Sequence, residues 1–360
     1  MKTPERILKK LAERVEQNSL RSLSTFSAGI DFYSNDYLGY AKIRFESNYS
    51  EGSTGSRLIS GNSELTNQIE VELASFFKQD AGLVFNSGYD ANLGLLSCVP
   101  QRGDTILYDA LCHASIRDGI QLSFANSFSF RHNELENLKK RLFEAKGTVY
   151  VVVESIYSMD GDQAPLVELV ELCQQFGAFL IVDEAHAGGI YGDQGQGLVS
   201  QLNLDFGVFA KIITFGKAFG SHGACVLGSA DLKSYLINFS RPFIYTTAIP
   251  PTSQARILAI VRHAQAETHS RANLFKNIQF FKSLLTEYKL PFLESNSAIQ
   301  GILIPGNDKV KERANQLIEK GFFVKPILSP TVEKGKERLR ICLHSFNTEE
   351  EITSLIEALI

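Results

Sequence analysis

Short apolar runs alternate with helical patterns from about residue 82 to residue 228. The runs lie at Gly82–Phe85, Thr105–Tyr108, Val149–Val153, Phe179–Val182, Lys211–Thr214 and Cys225–Leu227. Each run is short and rich in β-branched or aromatic residues, as is typical of a strand. Strands that alternate with helices form βαβ units, so this region predicts an α/β fold with a mostly parallel central sheet.

One intervening helix is marked at both ends. Pro165 suits the first position of a helix, and Gly177 suits the position after the last turn. Between them, apolar residues recur at helical spacing, at Leu166, Leu169, Val170, Cys173 and Phe176. This apolar stripe is expected to pack on the sheet.

The pattern changes after Pro250 and Pro251. Long helical patterns come first, followed by predicted strands at Gly301–Ile304 and Leu339–Leu343 and a last helix from about Thr348. This order indicates a second, smaller α/β domain. We therefore predict an N-terminal arm and helix over residues 1–48, a large domain over residues 49–245 and a small C-terminal domain over residues 246–360.

Composition and charge exclude several classes of protein. The chain has 360 residues, a hydrophobic share of 44% and a formal net charge of −4, with basic residues dispersed among acidic ones. This balance argues against a nucleic-acid partner, and no apolar run is long enough to predict a membrane span. The segment up to Ser24 lacks the apolar core of a signal peptide and predicts an amphipathic helix.

The cysteines indicate a reducing compartment. They are odd in number and scattered, at Cys98, Cys112, Cys173, Cys225 and Cys342. Their spacing matches neither a disulfide framework nor a zinc site, so we expect free thiols, a cytoplasmic location and no bound metal.

Several chemically useful side chains follow the predicted strands. Ligands of parallel α/β sheets bind outside the carboxyl ends of the strands, where loops and helix N-termini converge. The residues found there are Asn86-Ser87-Gly88-Tyr89, Asp109 with His113, Glu154 with Ser158, Asp183 with His186, and Lys217. The sequence therefore predicts one site that combines a phosphate-type turn, carboxylates, histidines and a lysine.

Lys217 is the strongest candidate for covalent chemistry. It follows a predicted strand and lies near Gly216, Gly220 and Gly223, which permit a bulky ligand to approach the backbone. A lysine shielded from water there can be neutral enough to form a Schiff base with an aldehyde such as pyridoxal phosphate. An ordinary solvated lysine is the alternative.

Asp183 and His186 suit the ring of such a cofactor. Asp183 comes directly after a buried run, where an unpaired carboxylate is unfavourable, so it needs a cationic partner. A protonated ring nitrogen would supply that cation, and an arginine would do so equally well. His186 could bond the phenolic oxygen of the ring or, alternatively, a backbone carbonyl.

A turn and a histidine complete the hypothesis. Ser87, Gly88 and Tyr89 open a helical pattern, whose free amides and positive end suit a phosphate group. His113 could stack on a flat ring, although a histidine at a helix start is more often structural. The prediction depends on the joint occurrence of these residues, since no single one is specific.

Taken together, the motifs resemble those of the α-oxoamine synthases, the acyl-CoA-using branch of the fold-type I pyridoxal-phosphate enzymes. The segments that carry the resemblance are Ser34–Gly39, Gly52–Arg57 with Gly61-Asn62, Asn86–Tyr89, His113–Ser115, Glu154 with Ser158–Asp162, Asp183–His186, Thr214–Lys217 and Leu339-Arg340. The resemblance extends over nearly the whole chain. The resemblance implies a fold-type I transferase with a large domain and a smaller α/β C-terminal domain.

The resemblance also implies a role for each residue around the cofactor ring. Lys217 would hold the cofactor as a Schiff base and remove the α-proton of the substrate. Asp183 would pair with the ring nitrogen, and His186 would bond the ring hydroxyl. His113 would stack on the ring, and Ser158 would lie near the ring oxygen.

Phosphate and substrate contacts are implied in the same way. The phosphate would be bound by Ser87, Gly88, Tyr89, Thr214 and, from a second subunit, Thr247. Arg340 would clamp the carboxylate of the amino acid with its fork of donors. Arg21, Asn35 and Thr331 would line the substrate side. A threonine contributed by a neighbour implies a homodimer with a shared active site.

The implied reaction is the decarboxylative condensation of a small amino acid with an acyl thioester, which yields an aminoketone, a thiol and carbon dioxide. L-alanine and a pimeloyl thioester of coenzyme A or of a carrier protein are favoured. The resemblance that favours them lies in Ser158–Asp162 with Ala164–Leu166, and in Phe243–Thr247 leading to Pro250-Pro251. The chemistry of glycine C-acetyltransferase, of serine palmitoyltransferase or of another acyl-CoA condensing enzyme stays open.

Two hypotheses from other classes compete with this one. The run Asp183–His186 spells the DEAH sequence of nucleic-acid-dependent ATPases, but Gly216-Lys217 is followed by Ala218 and lacks the upstream glycine of a phosphate loop. We reject that class. A non-catalytic relative would be expected to have lost the lysine, which is present here.

Overall fold

The chain forms two compact units in the computed structural model, which describes residues 3–23, 25 and 28–360. The larger unit contains residues 38–158 and 163–271, and the smaller one contains the described residues up to 37 together with 159–162 and 272–360. The larger unit thus extends beyond the predicted range of 49–245 at both ends.

The strands and helices are numbered along the chain. The strands are β1 Ile30–Asp31, β2 Ala81–Phe85, β3 Thr105–Asp109, β4 Asn126–Phe130, β5 Val149–Glu154, β6 Phe179–Asp183, β7 Ala210–Thr214, β8 Ala224–Gly228, β9 Ile299–Leu303, β10 Phe322–Phe323, β11 Lys325–Ile327 and β12 Arg338–Cys342. The helices are α1 Glu5–Glu16, α2 Glu64–Phe76, α3 Gly88–Cys98, α4 Ala114–Leu122, α5 Leu135–Glu144, α6 Leu166–Phe176, α7 Leu198–Gln201, α8 Ala230–Phe239, α9 Arg241–Ile244, α10 Pro251–Ala266, α11 His269–Glu287, α12 Asn307–Glu319 and α13 Glu349–Leu359.

The larger unit is built on one sheet with the strand order β2-β8-β7-β6-β5-β3-β4. β8 runs antiparallel to both of its neighbours, and every other neighbouring pair in this sheet is parallel. The predicted α/β class with a mostly parallel sheet is confirmed. β8 turns back because only residues 215–223 join it to β7, and that connection is too short for a crossover helix.

Strand β4 is not predicted by the apolar pattern. Its sequence alternates polar residues with phenylalanine, and all of it except Phe130 is exposed. It lies at the edge of the sheet and pairs only with β3. An edge strand buries little, so it lacks the continuous apolar run that marks the inner strands.

The inner strands are buried on both faces. Val152, Ile181 and Ile212 share a core with residues of α3 and α4, and Val151 and Val182, which point to the other face, are also buried. Side chains alternate along a strand, so burial on both faces explains why these strands are continuous apolar runs in the sequence. The sheet is therefore a rigid support for the loops at its ends.

Helix α6 confirms the helix predicted between Pro165 and Gly177, although it begins one residue later than expected. Pro165 is the residue before the helix, whereas it was expected at the first helical position. Leu166, Leu169 and Val170 are buried as the stripe predicts, and Gly177 ends the helix with a φ of 64°. Glycine adopts this left-handed conformation without steric conflict.

The smaller unit contains a sheet with the order β11-β12-β9, in which both pairs are antiparallel, and a parallel pair of β1 with β10. β9 and β12 correspond to the predicted strands, whereas the short strands β1, β10 and β11 were not predicted. Helix α13 begins with a capping box between Thr348 and Glu351. Among the described residues, no helix is both long enough and apolar enough to span a membrane.

Candidate active site

The carboxyl ends of three parallel strands lie side by side in the larger unit. Glu154, the last residue of β5, is the register partner of Asp183, the last residue of β6. Asp183 is in turn the register partner of Ile212 in β7. Lys217 follows in the loop between β7 and β8. These predicted residues therefore come from the same edge of the sheet.

The loop that carries Lys217 is held by its own backbone. The Ser221 N–H donates to the carbonyl oxygen of Phe215, and the Gly220 N–H donates to that of Lys217, both at 2.7 Å. Gly220 has a φ of 54°, and a Cβ atom there would lie only 2.1 Å from the backbone nitrogen of Ala41. Glycine is therefore required for this turn.

Lys217 contacts a histidine that the sequence also singles out. Its Nζ atom lies 2.8 Å from Nε2 of His186, which is buried. A hydrogen bond between these two nitrogens needs one proton and one lone pair. Either the ammonium donates to an unprotonated Nε2, or an Nε2–H donates to a neutral amine. The pair is thus arranged to exchange a proton.

The carboxylate of Asp183 is buried and oriented from two sides. Its Oδ2 accepts from Nδ2 of Asn92 at 2.7 Å, and its Oδ1 accepts from the backbone N–H of Ala185 at 2.9 Å. Burial makes a carboxylate at this position dependent on such donors. The side chain has a fixed direction at the end of β6.

His113 lies at the start of α4 and next to Glu154. Its backbone N–H donates to Oε1 of Glu154 at 2.6 Å, and its Nδ1 accepts from the backbone N–H of Ser115 at 3.2 Å. Burial, together with the charge of Lys217, lowers the pKa of His113, and Asp183 opposes that shift. Burial and the neighbouring Asp183 raise the pKa of Glu154 to about 8. We therefore expect a neutral imidazole and a protonated Glu154 near neutral pH.

The start of α3 lies beside the end of β7. Ser87 caps the helix, since its Oγ accepts from the backbone N–H of Asp90 at 3.1 Å. The amides of Gly88 and Tyr89 have no carbonyl in a preceding helical turn to bond. A Cβ atom on Gly88 would lie 3.4 Å from Thr214, so the helix start adjoins the strand end. Backbone amides at a positive helix end suit a phosphate.

Three other predicted residues of the larger unit are exposed or only partly buried. Tyr89 is exposed, and its hydroxyl donates to Asp118. Ser158 is partly buried in the loop after β5. Thr247 is exposed, and its carbonyl oxygen accepts from Nδ2 of Asn86 at 2.9 Å. The contribution of Thr247 to a second subunit stays a prediction.

The smaller unit contains the predicted substrate residues. Arg340 is buried in β12, where its Nη2 donates to Oδ1 of Asn35 at 3.0 Å and its Nη1 lies 3.0 Å from Sγ of Cys342. Arg340 and Asn35 are thus brought together. Arg21 and Thr331 are exposed, and their role at the substrate stays a prediction.

The chemistry of this donor set fits pyridoxal phosphate. Lys217 offers an amine for the aldehyde, Asp183 a carboxylate for the ring nitrogen, and the start of α3 backbone amides for the phosphate. Gly88 has no side chain to cover those amides. Among the described residues, no group of histidine, cysteine and acidic side chains is arranged to hold a metal ion.

Sequence reasoning assigned no role to three residues that bond directly to the site. Asn92 bonds Asp183, Ser115 bonds His113, and Glu154 accepts from the backbone of His113. Ser115 and Glu154 lie within the motifs, but Asn92 is one polar residue inside a helical pattern. Only its helical spacing from Gly88, four residues earlier, could have indicated that it faces the sheet.

The chain is similar to known proteins over nearly its whole length. The family model described as aminotransferase class I and II matches residues 27–359. An 8-amino-7-oxononanoate synthase of Emericella nidulans is 37% identical in an alignment that covers 92% of this chain and 89% of that relative.

Two solved structures show the same fold. A variant of the serine palmitoyltransferase of S. paucimobilis, with a bound PLP–myriocin aldimine, superposes with a TM-score of 0.90 at 25% identity, covering 99% of this chain and 96% of that one. An 8-amino-7-oxononanoate synthase of Francisella tularensis superposes with a TM-score of 0.80 at 30% identity, covering 92% of this chain and 96% of that one. The chain therefore belongs to the class I and II aminotransferase family and, within it, to the α-oxoamine synthases that its motifs resemble.

Proposed function

We propose that this chain is a pyridoxal-phosphate-dependent acyltransferase that condenses L-alanine with a pimeloyl thioester. The products would be 8-amino-7-oxononanoate, carbon dioxide and the free thiol of coenzyme A or of a carrier protein, as in biotin biosynthesis. The observation that carries the cofactor assignment is the 2.8 Å contact of Lys217 Nζ with His186, at the strand edge that also presents Asp183.

Different residues of the chain are suited to different parts of such a reaction. Bound pyridoxal phosphate supplies an electron-withdrawing ring that stabilises negative charge beside the amino group of the substrate. Lys217, which lies within hydrogen-bond distance of His186, is suited to take the α-proton and to return a proton at the end. Asp183 is directed to hold the ring nitrogen, and His113, as a neutral imidazole, is suited to lie against the ring. Arg340 offers two donors to the carboxylate of the amino acid.

The choice of substrates is supported by the names of the relatives. The synthases of Emericella nidulans and Francisella tularensis carry the same name, and the first is 37% identical to this chain. Serine palmitoyltransferase is the second candidate, because its structure superposes with the higher TM-score of 0.90. Its sequence identity is lower, at 25%, so alanine and a pimeloyl group are preferred.

The first experiment tests the cofactor. The purified protein incubated with pyridoxal phosphate is expected to turn yellow, and borohydride followed by peptide mapping is expected to place the label on Lys217. The second experiment crosses glycine, alanine and serine with acetyl, pimeloyl and palmitoyl thioesters and measures thiol release. Turnover of another pair while alanine with the pimeloyl thioester stays inert would refute the substrate assignment and leave the cofactor assignment standing.

We also propose that the protein acts as a homodimer in the cytoplasm. The five cysteines are all free, and four of them are buried, which suits a reducing compartment. Thr247 is exposed in the single chain, so its side chain is available to a neighbouring subunit. Light scattering of the active enzyme tests the dimer, and a catalytically competent monomer would contradict it.

A further inference from the structure

Asn92 links a residue at the end of a strand, Asp183, to a residue at the start of a helix, Ser115. It lies in α3 and is only 2% exposed. Its Nδ2 donates to Oδ2 of Asp183 at 2.7 Å and to Oγ of Ser115 at 3.1 Å. Both amide protons of Asn92 are therefore used, one toward the end of β6 and one toward the start of α4.

The orientation of this amide is determined by Asp183. An ionised carboxylate can only accept hydrogen bonds, so the nitrogen of Asn92, and not its oxygen, must face it. As a result Oδ1 of Asn92 is buried without a hydrogen-bond partner among the described residues. An unpaired buried acceptor is unfavourable for folding. We therefore attribute the presence of asparagine at position 92 to the two hydrogen bonds that its nitrogen donates.

Ser115 extends the arrangement from Asn92 to His113. Its Oγ accepts from Asn92, so its own proton is available to Nδ1 of His113, which lies 2.8 Å away. The backbone N–H of Ser115 donates to the same Nδ1 at 3.2 Å. A backbone N–H can only donate, so Nδ1 of His113 carries no proton. The proton of the neutral ring must then be on Nε2.

We propose that Asn92 and Ser115 are positioning residues, which form a hydrogen-bonded relay from Asp183 through both of them to His113. The relay fixes the direction of the carboxylate and the tautomer of the imidazole together. It rests on the proposed function in one respect only, namely that Asp183 and His113 meet the ring of the cofactor. Pre-orienting both groups reduces the reorganisation needed when that ring binds.

The first test uses the protein without cofactor. Nuclear magnetic resonance of isotope-labelled histidine reports which ring nitrogen carries the proton, and His113→Gln identifies the signal of His113 by its loss. At neutral pH we expect a proton on Nε2 and none on Nδ1. A proton on Nδ1, alone or together with one on Nε2, would overturn the relay, whether or not the protein is an acyltransferase.

The second test measures the dissociation constant of pyridoxal phosphate in Asn92→Leu. We expect it to rise roughly tenfold or more, because the carboxylate of Asp183 loses a charged hydrogen bond that orients it. Asn277→Leu is the matched control. Asn277 is also buried, and its Nδ2 donates to the carbonyl oxygens of His344 and Asn347 at 2.9 and 2.7 Å. Each variant thus loses two bonds of a buried amide.

The outcomes separate the inference from the proposed function. Weaker binding in Asn92→Leu with less than about a twofold change in Asn277→Leu supports positioning by Asn92. Equal weakening in both variants would mean a general loss of stability, and unchanged binding in Asn92→Leu would mean no role, so either refutes the relay. If the wild-type protein itself binds no pyridoxal phosphate, the proposed function fails, and the tautomer of His113 still decides the relay.

Discussion

The Nζ atom of Lys217 lies 2.8 Å from Nε2 of His186, whereas Nζ of Lys211, six residues earlier, lies 2.7 Å from Oδ1 of Asp205. Lys211 is fully buried in β7 and forms an ion pair, so its charge is permanently compensated. Lys217 lies beyond the end of the same strand, where an imidazole can take its proton. One strand and its loop thus hold a lysine in a buried ion pair and a lysine that we propose to be reactive.

Replacing Lys217 by alanine should abolish turnover and leave the fold intact. The side chain is partly exposed at a strand end, so its removal empties no core position. We expect turnover to fall at least about a thousandfold, and borohydride to trap no cofactor on the chain. Circular dichroism and urea unfolding of the variant should match the wild type.

Lys211→Met is the matched control for that experiment. It leaves Asp205 buried without its cation, which should lower the free energy of unfolding by about 3–5 kcal/mol. Pyridoxal phosphate should still be trapped on Lys217 in this variant. Loss of the trapped adduct in Lys211→Met, with retention in Lys217→Ala, would reverse the assignment of the two lysines.

The inner part of the sheet could be predicted from sequence because both of its faces are buried. Strands such as β5 and β6 are continuous apolar runs, and their ends therefore locate Glu154 and Asp183. β4 could not be predicted, since an edge strand with exposed serines has the composition of a loop. The reversed direction of β8 follows from the length of its connection to β7, which is visible in the sequence once both strands are assigned.

In the candidate site, too, some residues could be predicted from the sequence and others could not. Asp183 lies at the end of β6, and His186 and Lys217 lie in the loops that follow β6 and β7, so one topological rule indicates all three. Asn92 acts through a contact with Asp183, which lies 91 residues away in the chain. No local pattern encodes that contact, because it depends on how α3 packs across the end of β6. Residues that position others are therefore harder to predict than residues at strand ends.

Replacing Gly88 by alanine should weaken cofactor binding without destabilising the protein. The added Cβ would lie 3.4 Å from Thr214, an ordinary van der Waals contact, and alanine favours a helix start more than glycine does. The same methyl group would stand where a phosphate must approach the amides of α3. We expect the dissociation constant of pyridoxal phosphate to rise about tenfold with little change in melting temperature.

Gly94→Ala, in the same helix, should instead lower the stability of the protein. Its Cβ would lie 2.4 Å from Oγ of Ser240 and 3.0 Å from the ring of Phe85, so the core must shift, at a cost of about 1–3 kcal/mol. Cofactor affinity should change little. If Gly88→Ala instead lowers the melting temperature and keeps the affinity, the start of α3 does not bind the phosphate.

Arg340→Lys should raise the KM for the amino acid more than it lowers kcat. A lysine ammonium cannot reproduce the fork that bonds Asn35 and is proposed to clamp a carboxylate. We expect KM to rise roughly tenfold to a hundredfold, with the affinity for pyridoxal phosphate unchanged. Arg338→Lys, two residues earlier on β12, is the control, because Arg338 pairs with Asp160. An equal rise in KM in both variants would contradict a specific role for Arg340.

Glu184→Gln should remove part of the pH dependence of stability. Glu184 is fully buried, and its Oε1 accepts from the backbone N–H groups of Leu198 and Val199 at 2.7 and 3.0 Å. Burial raises its pKa to about 7 from an ordinary value of 4.5, and Lys211 opposes the shift. Between these values the folded state retains a proton that the unfolded state has lost, so the free energy of unfolding falls as the pH rises from about 4.5 to about 7.

Urea unfolding of the apoprotein over that pH range measures the effect. Glutamine keeps an oxygen for the two amides and cannot ionise, so the free energy of unfolding of Glu184→Gln should decline less steeply with pH than that of the wild type. Glu168→Gln, an exposed change on α6, should follow the wild-type curve. A Glu184→Gln curve parallel to the wild type would show that Glu184 is already ionised in the folded protein at the low end of the range.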